Sequence, residues 1–318
     1  MTDFVLDEIL NDTLLNDAYT RINDGQADEQ AVKKAMDDLQ LGLRARRLES
    51  SDQEWDEFVY LCVRHPLKDL LHQDPFTRRA YAKPRGYSGD AELLDLIFAR
   101  EERWPLPEGT SPLGQKIFNC TTGGAVGEGM RARRSFVAET IDRLALEVNR
   151  PRILAISAGH LREVNLSGAV KQKKIGKYVA IDSDTESLEE VDRSYSCYGV
   201  EIIPATVQQL LSGSKDIGPF DLIYSTGLFD YLQHEAAQHF ASVMFQMLSA
   251  GGRFLVASFL PEIRDIGYLE SYMDWNLIYR TPQEMLGVAM VIPQSEIKDI
   301  RLLAAENQNM LFLQVTKR

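Results

Sequence analysis

The spacing of apolar positions changes near Pro151. Before it, apolar residues recur at steps of three, four and seven, which predicts amphipathic helices. Three such stripes cover residues 4–22, 32–43 and 130–148. A segment rich in Pro, Gly and Arg, residues 83–90, interrupts the pattern and is predicted to be a loop. The first part of the chain is therefore predicted to be helical.

After Pro151, short apolar runs alternate with helical stretches. The runs are RILAIS, YVAID, EIIPA, FDLIYS and GRFLVASF. The intervening helices are predicted at residues 161–170, Thr185–Tyr195, Val207–Leu211 and 235–248. Uninterrupted apolar strands that alternate with helices are typical of a parallel sheet covered on both faces.

Local signals indicate several element boundaries. Asp90 and Ser111, which precedes a proline, are typical residues at the start of a helix. Thr281 and Glu284 have the spacing of a capping box. The polar residues 306–309 separate the last two apolar runs, IKDIRLL and MLFLQVTKR, and predict a closing antiparallel hairpin.

The length of 318 residues suits one catalytic domain with a helical extension. The change of pattern predicts a helical domain over residues 1–125, expected to act as a cap or lid. It predicts a sheet domain with the catalytic site over residues 126–318.

Charge and composition narrow the expected partners. Lys and Arg number 35 against 47 Asp and Glu, a net charge of -12, and such a surface repels nucleic acid. The three cysteines form no CxxC pair, and the acidic N-terminus does not match a signal peptide. No apolar run reaches the roughly 20 residues that span a bilayer. A cytoplasmic protein without a membrane segment is expected, and the spacing of the five histidines suggests no metal site.

The ends of the first two predicted strands carry candidate ligand-binding groups. Ser157, Ala158 and Gly159 follow the first strand, and Asp182 and Ser183 end the second. Ligands of open α/β sheets bind outside the carboxyl ends of the strands, where an acid after the second strand grips a ribose diol. The alternative is that Asp182 caps the next helix. A loop with one glycine lacks the GxGxxG pattern, so a dinucleotide is poorly supported.

The next two strands lead to the same edge. Thr206 and Val207 follow the third strand, where they are expected to flank an adenine. The fourth strand delivers Tyr224 and then Thr226 and Gly227. Phosphate-free nucleoside binding at this edge is the resulting hypothesis.

This order of features resembles class I S-adenosylmethionine (SAM)-dependent methyltransferases. Three segments resemble one bacterial subgroup, which includes enzymes that make methyl esters of 3-hydroxy fatty acids, and relatives that cyclise SAM to azetidine-2-carboxylate. They are KPRGYSGDAELLDLIF at 83–98, ILAISAGHLREVN at 153–165 and MDWNLIYR at 273–280. The resemblance covers about residues 60–318, and the single-glycine loop AISAGH departs from the doubly glycine-rich family pattern.

The resemblance implies a Rossmann-like seven-stranded class I methyltransferase sheet with an N-terminal all-helical domain. It implies SAM as methyl donor to a small-molecule carboxylate, hydroxyl or amine in bacterial secondary or signalling metabolism. Alternatively, SAM is itself the substrate of a cyclase that yields azetidine-2-carboxylate and methylthioadenosine. A non-catalytic SAM-binding module is a third possibility. A monomer or homodimer is expected, with a small molecule as the partner.

Site residues follow from the pattern and the resemblance together. Tyr87, within the 83–90 loop, is expected near the sulfonium, since an aromatic face attracts a cation. The loop is then a lid; its alternative role is a structural turn. The predicted catalytic residues are Tyr87, Asn119, Tyr224 and Tyr231. The predicted SAM-binding residues are Tyr87, Arg131, Ser157, Ala158, Gly159, Arg162, Asp182, Ser183, Thr206, Val207, Thr226 and Gly227.

Two further groups of residues have either a binding role or a structural role. One of Arg131, Arg133 and Arg134 is expected to hold the methionine carboxylate by a bidentate grip. Tyr272, Trp275 and Tyr279 either line an acceptor pocket or pack in a core.

Overall fold

The computed structural model describes residues 12–211 and 217–318. The chain forms two compact units, one of residues up to Met130 together with Glu262–Asn276, the other of Arg131–Pro261 with Leu277–Arg318. The unit boundary lies at Met130, and the return of Glu262–Asn276 to the first unit has no counterpart in the two continuous domains predicted from the sequence. A cap or lid role for the first unit stays a prediction. The start of the predicted 4–22 stripe lies outside the described residues.

Within the part that the structure describes, every regular element of the first unit is a helix. These are α1 (Thr13–Ile22), α2 (Glu29–Glu49), α3 (Asp52–Cys62), α4 (Leu67–Leu71), α5 (Pro75–Ala82), α6 (Ala91–Glu102), α7 (Pro112–Thr121), the start of α8 (Ala125–Glu147) and α13 (Ile266–Tyr272). Both predicted caps are confirmed: Asp90 accepts from Leu93 N at 2.7 Å, and Ser111 accepts from Gly114 N at 3.0 Å.

Aromatic residues of 262–276 pack in the core of the first unit. Trp275 is 1% exposed and meets Phe76 edge-on, and Tyr272 packs on Tyr268. On α13, a Cβ at Gly267 would lie 2.6 Å from the backbone of Leu43 on α2, so only glycine allows this approach. Core packing is therefore the role that the structure supports for Tyr272 and Trp275.

The second unit is built on a seven-stranded sheet. Its strands are β1 (Arg152–Ile156), β2 (Lys177–Asp182), β3 (Val200–Pro204), β4 (Phe220–Ser225), β5 (Leu248–Phe259), β6 (Ile297–Ala304) and β7 (Met310–Lys317). Their order is β3-β2-β1-β4-β5-β7-β6, with β7 antiparallel to β5 and β6. The predicted Rossmann-like α/β sheet and its closing hairpin are confirmed.

Helices precede or follow most strands along the chain. They are the remainder of α8, α9 (Gly168–Lys171), α10 (Thr185–Tyr195), α11 (Val207–Leu211), α12 (His234–Gln246) and α14 (Pro282–Gly287). The capping box of α14 is confirmed, since Thr281 accepts from Glu284 N and Glu284 from Thr281 N. The helix α8 packs on β7 through Phe136 and Phe312, whose stacked ring centroids lie 4.1 Å apart.

The single helix predicted over 161–170 is wrong. A 3-10 turn, Arg162–Asn165, comes first and α9 starts anew after it. The reason is Asp142, whose carboxylate accepts from Ser167 Oγ at 2.5 Å, Gly168 N at 3.0 Å and Ala169 N at 2.9 Å. These bonds satisfy free N–H groups at the new helix start.

Two structural features are absent from residues 12–211 and 217–318: a helix that could span a membrane and a cluster of metal-ligating side chains. No helix there has the length and apolar character needed to cross a membrane. Nor do His, Cys, Asp or Glu side chains of those residues gather in threes or more to hold a metal ion.

Candidate functional site

The loop after β1 folds tightly beside the end of β2. Ser157, Gly159 and Leu161 each have φ of 53°, and Ala158 N donates to Ile181 O at 3.1 Å. A left-handed backbone costs a residue with a side chain roughly 1–2 kcal/mol, so Ser157 and Leu161 hold strain. Strain of this kind concentrates where a ligand is bound.

The Asp182 carboxylate is fixed by backbone groups from both sides. Its Oδ2 accepts from Gly159 N at 2.9 Å and its Oδ1 from Asp184 N at 3.0 Å. Burial raises the pKa of Asp182, and the backbone N–H groups oppose that shift. The cap of α10 is Asp184, which accepts from Glu186 N, so Asp182 does not fill that alternative role.

Ser183, Thr206 and Val207 lie near the same strand ends. Ser183 and Thr206 are exposed, and Ala205 N donates to the Asp182 carbonyl at 2.9 Å. Thr206 also starts α11, because its Oγ1 accepts from Gln209 N at 3.3 Å. These positions border Asp182 along the β2–β3 edge, and their contact with a nucleoside stays a prediction.

Arg162 points its charge at α10. Its guanidinium forms an ion pair with Glu190 at 2.9 Å, with Tyr195 Oη 3.4 Å away. Because this pair ties the loop after β1 to the helix after β2, a structural contribution of Arg162 is evident. Its predicted role in SAM binding stays a prediction.

A buried hydrogen-bonded chain runs through Tyr224. Its hydroxyl donates to Glu163 Oε1 at 2.5 Å and lies 2.5 Å from the hydroxyl of Tyr178. Burial raises the pKa of the Glu163 carboxyl, while the bond from Tyr224 lowers it. Burial likewise raises the pKa of Tyr224 well above its ordinary value.

Buried charges of opposite sign surround Glu163. Arg133 is 7% exposed and donates to Thr226 O at 2.7 Å. Burial lowers the pKa of Arg133, and the charges of Asp230 and Glu163 oppose the shift. Gly227 lies beside Arg133: a Cβ there would be 3.7 Å from Nη1. This brings the predicted Thr226 and Gly227 to the charged cluster.

Asp230 braces the end of β4 against β5. Its Oδ1 accepts from Ser258 Oγ at 2.7 Å and Phe259 N at 3.1 Å, and burial raises its pKa to about 6. Arg280 donates to the carbonyls of Phe229 and Leu232 on either side. The predicted Tyr231 is 39% exposed beside this brace.

Sequence reasoning did not single out Glu163 or Asp230. The available signal was a carboxylate shortly after a strand, and that pattern also fits an exposed residue. Arg131, predicted as a SAM ligand, is half-buried on α8. Arg133, also on α8, donates to the carbonyl of Thr226 directly after β4.

Tyr87 and Asn119 belong to the first unit. The Asn119 side chain donates to Glu29 Oε1 at 3.0 Å, and its carbonyl accepts from Arg100 at 2.7 Å. Tyr87 is 40% exposed. Both catalytic assignments stay predictions.

The 83–90 loop that contains Tyr87 is tied down inside the first unit. Arg79 grips Asp90 with two bonds, at 2.9 and 2.7 Å. Lys83 Nζ lies 2.5 Å from Asp274 Oδ2, and Ser88 Oγ donates to the Asp274 carbonyl at 2.8 Å. A structural turn is therefore part of what this loop does.

Comparisons with known proteins give a likeness of fold. A possible exported protein from Bordetella parapertussis superposes with a TM-score of 0.56 at 13% identity, covering 98% of this chain and 96% of its own. A DUF574 family protein from Streptomyces avermitilis gives a TM-score of 0.51 at 14% identity, over 72% and 97%. The shared property is the fold.

Other matches add no finer relationship. Magnesium protoporphyrin IX methyltransferase from Synechocystis PCC 6803, solved with bound SAH, gives a TM-score of 0.49 at 10% identity, over 76% of this chain and 97% of its own. No family model matches the chain, and no curated protein matches it.

Proposed function

We propose that this chain is a SAM-dependent enzyme, with methyl transfer to a small molecule as its first candidate reaction. The observation that carries the proposal is the Asp182 carboxylate at the carboxyl edge of the sheet. Each of its oxygens accepts one backbone N–H, and a carboxylate has about four acceptor sites. Asp182 is half-buried, so acceptor capacity remains for the two hydroxyls of a ribose.

The edge also suits a nucleoside without phosphates. The loop after β1 has one glycine, and the helical turn that follows it, Arg162–Asn165, is too short to offer a phosphate-binding helix start. At the end of β4, the Ser225 hydroxyl is buried, and no described residue hydrogen bonds to it. A buried hydroxyl of this kind is a natural partner for a bound molecule or water. These features favour SAM over a nicotinamide dinucleotide.

SAM supplies an activated methyl group, so the protein mainly has to orient an acceptor and exclude water. Glu163 adds a buried carboxyl group that holds or accepts a proton next to Tyr224. A carboxylate acceptor needs no base, whereas a hydroxyl or amine has a proton to lose. Glu163 therefore favours a hydroxyl or amine as the acceptor.

The buried Glu163 carboxyl also supports a second candidate reaction, cyclisation of SAM to azetidine-2-carboxylate. In that reaction the amine nitrogen attacks the γ carbon, the bond from that carbon to sulfur breaks, and methylthioadenosine leaves. The ammonium of SAM must lose one proton before this attack, and Glu163 is the proposed acceptor of that proton. Tyr87 and Asn119 are proposed to help hold the amine, on the strength of the sequence alone.

The first experiment is incubation of the purified protein with SAM alone, followed by mass spectrometry. Methylthioadenosine together with a new cyclic amino acid would establish the cyclase and exclude methyl transfer as the main reaction. Unchanged SAM would favour methyl transfer, and the assay is then repeated with hydroxy acids and amines to detect SAH. Saturable SAM binding by calorimetry without turnover of any acceptor would leave a binding module.

A further inference from the structure

The first unit contains a partly open cavity of 190 Å³, whose lining combines charged and polar side chains and includes Asn119. One face of α2 contributes Lys33, Asp37 and Gln40, while Arg100 comes from α6 and Arg264 precedes α13. The volume corresponds to roughly six water molecules, enough for a short organic molecule.

The Gln40 side chain supplies this cavity with a hydrogen-bond donor. Gln40 is 4% exposed and lines the cavity, yet no hydrogen bond joins its side-chain amide to any residue that the structure describes. A buried amide left without a partner costs free energy, so a ligand that accepts its hydrogen bond is stabilised.

The cavity carries an excess of positive charge. Lys33 and Arg264 share Asp37, at 2.6 and 2.7 Å. Glu29 already accepts from the Asn119 amide. Arg100 bonds only to the Asn119 carbonyl and forms no ion pair within the described part of the chain. An unneutralised guanidinium over a cavity attracts an anion, even in a protein whose net charge is -12.

The approach of Arg100 depends on a glycine. A Cβ at Gly123 would lie 2.6 Å from Arg100 Nη1 and 2.7 Å from the Asn119 carbonyl oxygen. The absent side chain therefore leaves room for the guanidinium at the cavity wall. A planar guanidinium and a primary amide together match the geometry of a carboxylate.

We infer that this cavity binds a small organic carboxylate, with its carboxylate group toward Arg100 and the Gln40 amide. A carboxylate suits the site better than a phosphate dianion, because Asp37 and Glu29 add negative charge to the wall and repel a second charge on the ligand. The site lies within the helical unit, and neither Arg100 nor Gln40 is among the residues proposed to bind SAM.

The test is a ligand-observed NMR titration of the full chain with butanoate, with inorganic phosphate in parallel. Saturable binding of butanoate and weaker binding of phosphate are expected. Gln40→Glu and Arg100→Gln should each weaken butanoate binding at least tenfold. Lys34→Gln, on the same helix but outside the cavity lining, should leave it unchanged.

Arg100 is exposed, so Arg100→Gln keeps the test valid if the buried Gln40→Glu substitution prevents folding. Absence of saturable butanoate binding, tighter binding of phosphate, or equal binding by the wild type and Arg100→Gln would each overturn the assignment. The Asp182→Ala protein should bind butanoate normally, which separates this site from the proposed SAM site.

Discussion

Gly159 N donates to the Asp182 carboxylate at 2.9 Å, which joins the loop after β1 to the end of β2. A backbone donor fixes the carboxylate without using any side chain of the loop. The hydrogen bond therefore holds the strained loop and Asp182 together, and it fixes the direction in which the remaining lone pairs of the carboxylate point.

Replacement of this acid tests the ribose assignment. Asp182→Ala is expected to weaken SAM binding by about 2 kcal/mol or more, from the loss of two charge-assisted hydrogen bonds. Isothermal calorimetry measures it. The control is Asp184→Ala, which removes the cap of α10 and should cost about 1 kcal/mol of stability with SAM affinity retained. Equal SAM affinity in wild type and folded Asp182→Ala would remove Asp182 from the site.

The pH profile of the reaction tests Glu163. Burial raises the pKa of Glu163, so activity that needs the ionised carboxyl should rise through an inflection above the ordinary glutamate value of 4.5. Glu163→Gln should abolish the inflection and lower kcat by roughly 10²-fold. Tyr224→Phe removes a hydrogen bond that lowers the pKa of Glu163, so it should move the inflection to higher pH. A profile that is identical in all three proteins would mean that Glu163 moves no proton.

The stability of the first unit should depend on pH through Asp74. This buried carboxyl accepts from Thr77 and Thr121 side chains, and burial raises its pKa from 3.8 to about 6. Because the folded state holds the proton more tightly, the contribution is complete below about pH 4 and is lost as pH rises through about 6. The loss amounts to up to about 3 kcal/mol.

Asp74→Asn cannot ionise, so its free energy of unfolding should fall less between about pH 4 and 7 than that of the wild type. The variant should be less stable overall, since one amide oxygen replaces two acceptors. Thr121→Val removes a bond that lowers the pKa of Asp74 and should extend the decline to higher pH. Denaturant melts at a series of pH values measure both effects, and parallel curves for wild type and Asp74→Asn would refute the role of Asp74.

The buried Arg79–Asp90 ion pair at the end of the 83–90 loop should contribute more to stability than the exposed Lys83–Asp274 pair at its start. The Asp90 side chain is 1% exposed and receives two bonds from Arg79. Asp90→Ala is expected to cost about 2 kcal/mol or more, because it breaks a pair with a buried carboxylate and removes the cap of α6, while Arg79 keeps its ion pair with Glu92. Lys83→Ala breaks a half-exposed pair with Asp274 and should cost less than about 1 kcal/mol. Similar losses in thermal unfolding for the two variants would show that burial does not separate the pairs.

Local sequence predicted what depends on near neighbours. The caps at Asp90, Ser111 and Thr281 and the alternation of β-strands and helices follow from spacing over a few residues, and each is confirmed. The edge position of Asp182 follows from the same logic, since the carboxyl ends of parallel strands share one side.

Distant contacts had no such signal. Glu163 meets Tyr224 only because the β1–β4 register places the two elements side by side. Asp142 stops the predicted 161–170 helix from another part of the chain. The Trp275 ring packs in the helical core against Phe76, and the spacing of apolar residues within 262–276 does not predict that contact.

The discontinuity of the helical unit imposes an order on its assembly. During synthesis α1–α8 leave the ribosome before α13, and β1–β5 are made in between. Until Gly267 reaches Leu43 and the ring of Trp275 reaches Phe76, the apolar surfaces of the early helices have no cover. A nascent chain that stops at Met130 should therefore be prone to aggregation and dependent on chaperones, although it contains most of a helical unit.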